Sequence, residues 1–137
     1  MLATVNSVAL HGLKGTPVAV EVDISPGIPA FEIVGLPDTA VREARDRVRA
    51  AIKNSGFEFP LRRITVNLAP ADVRKEGPIY DLALAIGILA AAGEIAEELL
   101  QPFVLLGELS LEGRVKKING ALPLALAACE NGLTNLI

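Results

Sequence analysis

Two groups of charged residues in this 137-residue sequence have types and spacing that could do chemistry. The first is a row of basic residues that recur every three or four positions, as on one face of a helix: Arg42, Arg45, Arg49 and Lys53. Such a row, extended by Arg62 and Arg63, would contact nucleic acid phosphates or an acidic protein surface. The alternative is a solvated helix face with local pairs such as Glu43 with Arg47 and Arg42 with Asp46. Because no aromatic residue alternates with these arginines, any nucleic acid contact is expected to be with the backbone and sensitive to salt.

The second group is a charged segment that directly precedes an apolar stretch. Its members are Asp72, Arg74, Lys75, Glu76, Gly77 and Asp81. An acidic residue in the first turn of a helix is stabilised by the positive end of the helix dipole. We therefore expect a structural clamp in which Lys75 or Arg74 folds back towards Asp81. The alternative is a loop that binds an anion or a partner protein.

The sequence does not support other catalytic or metal-binding arrangements. It holds a single histidine, His11, and a single cysteine, Cys129, so zinc would lack its usual ligands and we predict no metal site. A serine triad would have to use His11, whose place at a strand end offers no support for one. No G-x-x-x-x-G-K-[ST] motif occurs, so we predict that this chain does not bind ATP by itself and has no catalytic residue.

Composition limits the fold class and the compartment. With 51% hydrophobic and 21% charged residues, the chain is not disordered, and its length suits one hydrophobic core. The net charge of -3 argues against binding nucleic acid or a membrane through bulk charge. The single cysteine and the lack of a secretion signal predict a cytoplasmic protein. The longest apolar run, residues 82–92, is too short to span a membrane.

The pattern of apolar residues predicts the elements that position these side chains. Two-residue alternation predicts three strands near the start of the chain, arranged as an antiparallel meander over residues 2–10, 16–24 and 28–34. Helical spacing and an N-cap at Asp38 predict an amphipathic helix that ends at residues 54–56. Further along, we predict a strand at 64–68, a buried helix at 79–92, strands at 103–109 and 113–118, a helix at 122–130 and a strand at 133–137.

Several of these segments, in this order, resemble the proteolytic domain of Lon proteases. They are residues 75–81 before the apolar helix, residues 106–115 and residues 118–120. In that family a serine nucleophile follows the proline of the first motif and a lysine base lies in the third. Ile79 and Leu122 stand at these places here, and neither can attack a substrate or take up a proton. The resemblance implies a Lon-like scaffold without its chemistry; residual hydrolysis through Ser110 with Lys116 or Lys117 is an alternative.

A closer resemblance, to the ComM/YifB family of magnesium-chelatase-like AAA+ ATPases, covers essentially all 137 residues. The matching motifs are residues 35–38, 41–43, 47–48, 64–72 and 75–77. This resemblance implies an α+β fold of the ribosomal protein S5 domain 2-like (Lon protease domain-like) type, with a mixed sheet and helices. It also implies that residues 1–137 are a single domain, cut within a strand before an AAA+ ATPase domain.

The same resemblance carries functional expectations. Members resemble hexameric helicases that act in branch migration during natural transformation and recombination. We therefore expect a non-catalytic N-terminal domain that gives DNA or subunit contacts and holds no cofactor itself. ATP and magnesium would be used by the ATPase domain, and the full-length protein would be a homo-hexamer that acts on DNA and not on membranes. The alternative is a protein-interaction or regulatory module of a chelatase-type complex.

Overall fold

The computed structural model describes residues 1–11, 14–116 and 135–136. Six strands form one mixed sheet in the order β3-β4-β2-β1-β5-β8, and β6 and β7 form a second, small sheet. The strands are β1 Leu2–His11, β2 Lys14–Ser25, β3 Ala30–Val34, β4 Arg63–Ala69, β5 Phe103–Val104, β6 Glu108–Leu109, β7 Val115–Lys116 and β8 Asn135–Leu136. The α-helices are α1 Thr39–Asn54 and α2 Asp81–Ala91, and single 3₁₀ turns span Pro78–Tyr80 and Glu97–Leu99.

The first two strands form the antiparallel hairpin that the alternation predicts. Their register runs from Leu2 opposite Asp23 to His11 opposite Lys14. Because successive side chains of a strand point to opposite faces, one set of β2 residues faces the core. These are Val18, Val20, Val22 and Ile24, all of which are buried.

The third strand does not continue this meander, and that part of the prediction is wrong. Strand β3 pairs in parallel with β4, from Ala30 opposite Arg63 to Val34 opposite Asn67, while β4 takes the antiparallel place beside β2. The reason is the helix between β3 and β4: a crossover connection returns the chain to the same end of the sheet and so permits parallel pairing. Strand β3 is consequently an edge of the sheet.

Helix α1 forms as the sequence predicts. The carboxylate of Asp38 caps its first turn by accepting a hydrogen bond from the N–H of Val41 at 2.8 Å. The helix ends at Asn54, and Ser55 follows as its C-cap. Its buried stripe is made of Val41, Ala44, Val48, Ala51 and Ile52, the positions expected from a 3.6-residue period.

Helix α2 lies in the core, as its apolar composition predicts, but it begins at Asp81 after a 3₁₀ turn rather than at Ile79. A glycine on α2 permits close contact with the sheet. A Cβ atom at Gly87 would lie 2.8 Å from Cγ2 of Val22 and 3.6 Å from Cγ2 of Val5. Packing α2 on β1 and β2 places Asp81, in its first turn, beside α1.

The predicted strand at 103–109 is divided in two. Strand β5 joins the main sheet beside β1, and β6 pairs with β7, which confirms the predicted turn around residues 111–113. Two hydrogen bonds fix the break: the N–H of Leu105 donates to the carbonyl of Asn6, and that of Gly107 donates to the carbonyl of Ile79, each at 2.8 Å. The predicted helix at 122–130 and the end of the predicted strand at 113–118 lie outside the described residues.

Candidate functional site

The predicted basic row lies on one exposed face of α1. Arg42, Arg45 and Lys53 are exposed and Arg49 is partly exposed. Neither predicted local pair forms. Arg49 instead lies 3.8 Å from Asp46, a surface pair of the kind that contributes little to stability. The row therefore keeps most of its positive charge available to a partner.

The row lies beside the edge strand β3. Nη1 of Arg45 donates to the carbonyl of Phe31 on β3 at 3.4 Å, and its Nε donates to the carbonyl of Arg42 at 3.1 Å. Arg49 stacks over the ring of Phe59, 5.3 Å from its centre. The Phe59 ring lies 5.8 Å from that of Phe31. An aromatic ring thus does accompany the row, which the sequence spacing did not reveal because Phe59 lies beyond the end of the helix.

The two other predicted members of the basic patch are placed elsewhere. Arg63 is exposed and alternates with the buried Ile64, so its side chain lies on the opposite face of the sheet from the core. Arg62 lines a shallow cavity with Met1, Ile24 and the end of α2. The prediction that both extend the row is wrong, because adjacent residues on and before a strand cannot both reach a helix on one side of the sheet.

The motif loop is fastened to the turn between β3 and α1 by its main chain. The N–H of Lys75 donates to the carbonyl of Leu36, and the N–H of Asp38 donates to the carbonyl of Lys75, both at 3.0 Å. The second carboxylate oxygen of Asp38 accepts from the N–H of Gly77 at 3.1 Å. Asp38 therefore caps a helix and holds the loop at the same time.

Lys75 is the buried cation of this loop, with 0% of its surface exposed. Its Nζ donates to the carbonyl of Gly35 at 2.7 Å and also to the carbonyl of Pro70. Burial lowers the pKa of Lys75, and the negative charge of Asp72 opposes this effect. The prediction that Lys75 or Arg74 clamps Asp81 is wrong: Lys75 bonds to carbonyls, and Arg74 pairs with Glu76 at 3.1 Å on the surface.

Asp81 is clamped instead by Arg47 of α1. Nε of Arg47 lies 2.7 Å from Oδ2 of Asp81 and Nη2 lies 3.0 Å from Oδ1, a two-point contact with a fully buried carboxylate. The N–H of Leu109 also donates to Oδ2 at 3.1 Å, and Nη2 of Arg47 bonds to the carbonyl of Ala40. Burial raises the pKa of Asp81, while the bonds from Arg47 and Leu109 oppose this rise. The cluster joins α1, α2 and β6.

Sequence reasoning treated Arg47 only as a surface partner of Glu43. Arg47 lies three residues after Ala44 and four before Ala51, so at about 100° per residue it borders the apolar stripe of α1, whereas Lys53 lies further from it. A cation on the border of a buried stripe, followed by an aspartate in the first turn of a buried helix, is the signal that could have identified the pair.

A shallow cleft joins one end of the basic row to the motif loop. It is lined by Arg42, Arg74, Thr39 and the turn at residues 36–38. Two arginines that are 32 positions apart therefore border one cleft. Asp72 and Glu76 are exposed on the same loop.

Little in the geometry supports the alternative of residual hydrolysis through Ser110 with Lys116 or Lys117. The hydroxyl of Ser110 accepts from the N–H of Arg114 at 3.1 Å within the turn that joins β6 to β7. Nζ of Lys116 lies 3.9 Å from Glu108, and Lys117 lies outside the described residues. Ser110 and Lys116 are each engaged with other groups and not with one another, so this pair lacks the contact between nucleophile and base that such chemistry needs.

The described residues hold neither a metal-ligand cluster nor a helix that could span a membrane. Within 1–11, 14–116 and 135–136, no group of three or more histidine, cysteine, aspartate or glutamate side chains is arranged to hold a metal ion. No helix in this same part of the chain is long and apolar enough to cross a membrane.

Taken with its relatives, this architecture is an α+β fold of the ribosomal protein S5 domain 2-like type, with a mixed sheet and packed helices. The chain is 26% identical over 139 residues to Lon protease 3 of Sorangium cellulosum, covering 97% of this chain and 16% of that protein. The fold class and the resemblance to Lon are thereby confirmed.

Residues 20–137 match the family described as subunit ChlI of Mg-chelatase, and the chain belongs to this family. It is 48% identical over 131 residues to the YifB protein of Escherichia coli, covering 96% of this chain and 26% of that protein. It is also 48% identical over 127 residues to competence protein ComM of Haemophilus influenzae, covering 93% of this chain and 25% of that protein. The chain thus spans about a quarter of the length of these relatives.

Proposed function

We propose that this chain is a non-catalytic N-terminal domain of a magnesium-chelatase-like AAA+ ATPase that acts on DNA, in branch migration during natural transformation and recombination. The observation that carries the proposal is the exposed row of Arg42, Arg45, Arg49 and Lys53 on α1. Cations at helical spacing on an exposed face match the negative charges of a nucleic acid backbone. The similarity to competence protein ComM supports DNA as the substrate.

The charges of the motif loop support a binding role rather than a catalytic one. Lys75 and Asp81 are buried in contacts with the protein itself. Ile79 stands where Lon proteases carry their nucleophile, and its hydrocarbon side chain has no acid or base function. The loop therefore acts as a structural support for α1, the helix that carries the basic row.

In the proposed protein, chemistry belongs to parts beyond this chain. An ATPase domain would bind ATP and magnesium, the assembly would be a homo-hexamer, and the domain described here would contribute contacts to DNA or to a neighbouring subunit. The cytoplasm is the compartment that this proposal requires, because the DNA intermediates of recombination are there.

A salt titration tests the DNA contact. Binding of this chain to fluorescent single-stranded and forked DNA is measured from low to moderate salt, together with the triple variant Arg42→Glu, Arg45→Glu, Arg49→Glu. Each lost phosphate contact lowers the slope of log affinity against log salt by about 0.7 to 0.9. The triple variant is therefore expected to lose about 2 to 2.7 units of slope and at least tenfold in affinity.

The matched control carries the same change of net charge at exposed arginines off the row: Arg62→Glu, Arg63→Glu, Arg114→Glu. Circular dichroism of both variants verifies that they fold. The control is expected to keep most of the affinity. Equal losses in both variants, or no binding of the unmodified chain at low salt, would contradict the DNA contact and leave subunit assembly as the role of the row.

A further inference from the structure

The outer edge of β3 presents main-chain N–H and C=O groups that have no main-chain partner among residues 1–11, 14–116 and 135–136. In parallel pairing, the N–H and C=O groups of alternate residues point to the neighbouring strand. The N–H of Ala30 donates to the carbonyl of Arg62, so Ala30, Glu32 and Val34 face β4, while the main chain of Phe31 and Ile33 faces outward. Among the described residues, only Arg45 reaches this edge, through the carbonyl of Phe31 at 3.4 Å.

The basic row flanks this edge on its helix side. Arg45 contacts the main chain of Phe31, and Arg49 lies over Phe59, whose ring is next to that of Phe31. Arg42 borders the cleft beside Leu36, just past the other end of β3. The cations therefore run along the length of the edge, and a strand placed there would have every second side chain directed towards them.

Exposed apolar residues cluster at both ends of the same edge. Ile28, just before β3, and Leu61, just before β4, are 86% and 81% exposed. At the other end, Val34 is 47% exposed and Leu36 is 52% exposed. Native sheets usually protect an edge with charges or a covering element. Here the edge is short and its ends are apolar; within the described residues its protection is the exposed Glu32 at its middle and Arg45 across it.

We propose that the outer edge of β3 binds an extended polypeptide segment of alternating acidic and apolar residues, which adds to the sheet as a further strand. Its main chain bonds to the outward N–H and C=O groups of Phe31 and Ile33. Its acidic side chains, on the helix side, meet Arg42, Arg45 and Arg49. Its apolar side chains lie on the opposite side, where Val34 is exposed. Arg45 leaves the carbonyl of Phe31 and pairs with an incoming carboxylate.

An added peptide strand would use the outward main-chain groups and the exposed apolar residues at this edge, which a nucleic acid would not use. Strand addition uses main-chain donors and acceptors for affinity and alternate side chains for specificity. A DNA backbone offers acceptors to the arginines but no N–H groups to a strand edge and no apolar side chains for Ile28 and Leu61. The proposal does not depend on the proposed function, although both involve the basic row, and the experiment below distinguishes them.

The probe is a blocked eight-residue peptide of alternating valine and glutamate, titrated into ¹⁵N-labelled protein. The amide protons of Phe31 and Ile33 have no partner within the described residues, so they are expected to exchange rapidly in the free protein. Peptide binding is expected to slow their exchange at least tenfold. A peptide N-methylated at every second residue, on the edge that faces β3, cannot donate these bonds and is expected to bind at least tenfold more weakly.

Two variants test the side-chain contacts. Arg45→Glu is expected to weaken binding of the valine–glutamate peptide at least tenfold and to bind the matched valine–lysine peptide more tightly. The double variant Ile28→Glu, Leu61→Glu changes only exposed side chains, so the fold is expected to persist while the acidic peptide binds more weakly. Both variants are verified by circular dichroism.

Strand addition at this edge is established by two results together. Exchange slows at the amides of Phe31 and Ile33, and the preference for the acidic peptide is reversed in Arg45→Glu. Peptide binding without slowed exchange at Phe31 and Ile33 would overturn it, and so would equal binding of the acidic and basic peptides. A DNA duplex that binds the arginines while the peptide does not would also overturn it and would leave the nucleic acid contact standing.

Discussion

Replacing Arg47 with alanine leaves the carboxylate of Asp81 buried without its cationic partner. Asp81 is fully buried, and Arg47 contacts both of its oxygens at 2.7 and 3.0 Å. Removing one partner of a buried ion pair costs about 3 to 5 kcal/mol. The side chain of Arg47 is 20% exposed, so partial contact with water places the expected loss at the lower end, about 3 kcal/mol of the free energy of unfolding.

The loss of stability caused by Arg47→Ala should depend on pH, and the direction of this dependence follows from the pKa of Asp81. Burial already raises this pKa, and of the groups that oppose the rise Arg47 has the largest effect. Without Arg47 the pKa rises further. A carboxyl group with a folded-state pKa above its unfolded value favours folding at low pH, and this benefit is lost as the pH rises through the folded pKa. The deficit of the variant should therefore be smaller at pH 4, close to the ordinary aspartate pKa, than at pH 7, because Asp81 takes up a proton as the pH falls.

Urea unfolding followed by far-ultraviolet circular dichroism at both pH values measures this deficit. With a slope of about 1.5 to 2 kcal/mol per molar urea for a chain of this size, the midpoint should fall by roughly 1.5 to 2 M at pH 7. Arg42→Ala, an exposed arginine on the same helix, is the matched control and should cost less than about 0.5 kcal/mol. A deficit below about 1 kcal/mol for Arg47→Ala, or one that is equal at both pH values, would refute the reasoning.

Two further predictions concern other buried polar groups. Lys75→Met leaves the carbonyls of Gly35 and Pro70 without their donor and should lower the free energy of unfolding in urea by about 2 to 3 kcal/mol. The control Arg74→Met changes an exposed neighbour and should cost less than about 0.5 kcal/mol. Equal losses in the two variants would contradict the role of the buried ammonium. Burial raises the pKa of Tyr80, the single tyrosine, so its contribution to stability is complete below the ordinary tyrosine pKa and is lost as the pH rises above it. Tyrosinate absorbance at 295 nm should therefore appear together with unfolding in an alkaline titration, and ionisation of the folded protein near pH 10 would contradict it.

The sequence predicted the features of this fold that depend on neighbouring residues. Asp38 caps α1, and Val41, Ala44 and Val48 form its buried stripe, because capping and helical periodicity are decided within a few positions. The basic row was found for the same reason: its members share a face once the helix exists. Strand pairing follows no such local rule, so the parallel pairing of β3 with β4 was missed.

Partner choice among charged residues was also not local. Sequence spacing predicted that Arg47 pairs with Glu43 and that Asp81 contacts Lys75 or Arg74. The actual pair is separated by 34 positions, and only the packing of α1 against α2 brings it together. Lys75 could not have been assigned either, because its acceptors are main-chain carbonyls, which every residue carries and which no sequence pattern identifies.

The packing of the motif loop supports the proposal that this domain works by binding. Ile79, at the place of the Lon nucleophile, packs against the small cluster of Val8, Val104 and Leu106, and its carbonyl accepts the N–H of Gly107. An apolar contact thus stands where Lon proteases carry a reactive group, while inside the protein Lys75 bonds to main-chain carbonyls and Asp81 to Arg47. A reactive site needs polar groups held ready for a substrate. The exposed cations of the basic row and the outward main-chain groups of β3 lie together on one face, which is where we propose that a partner meets this domain.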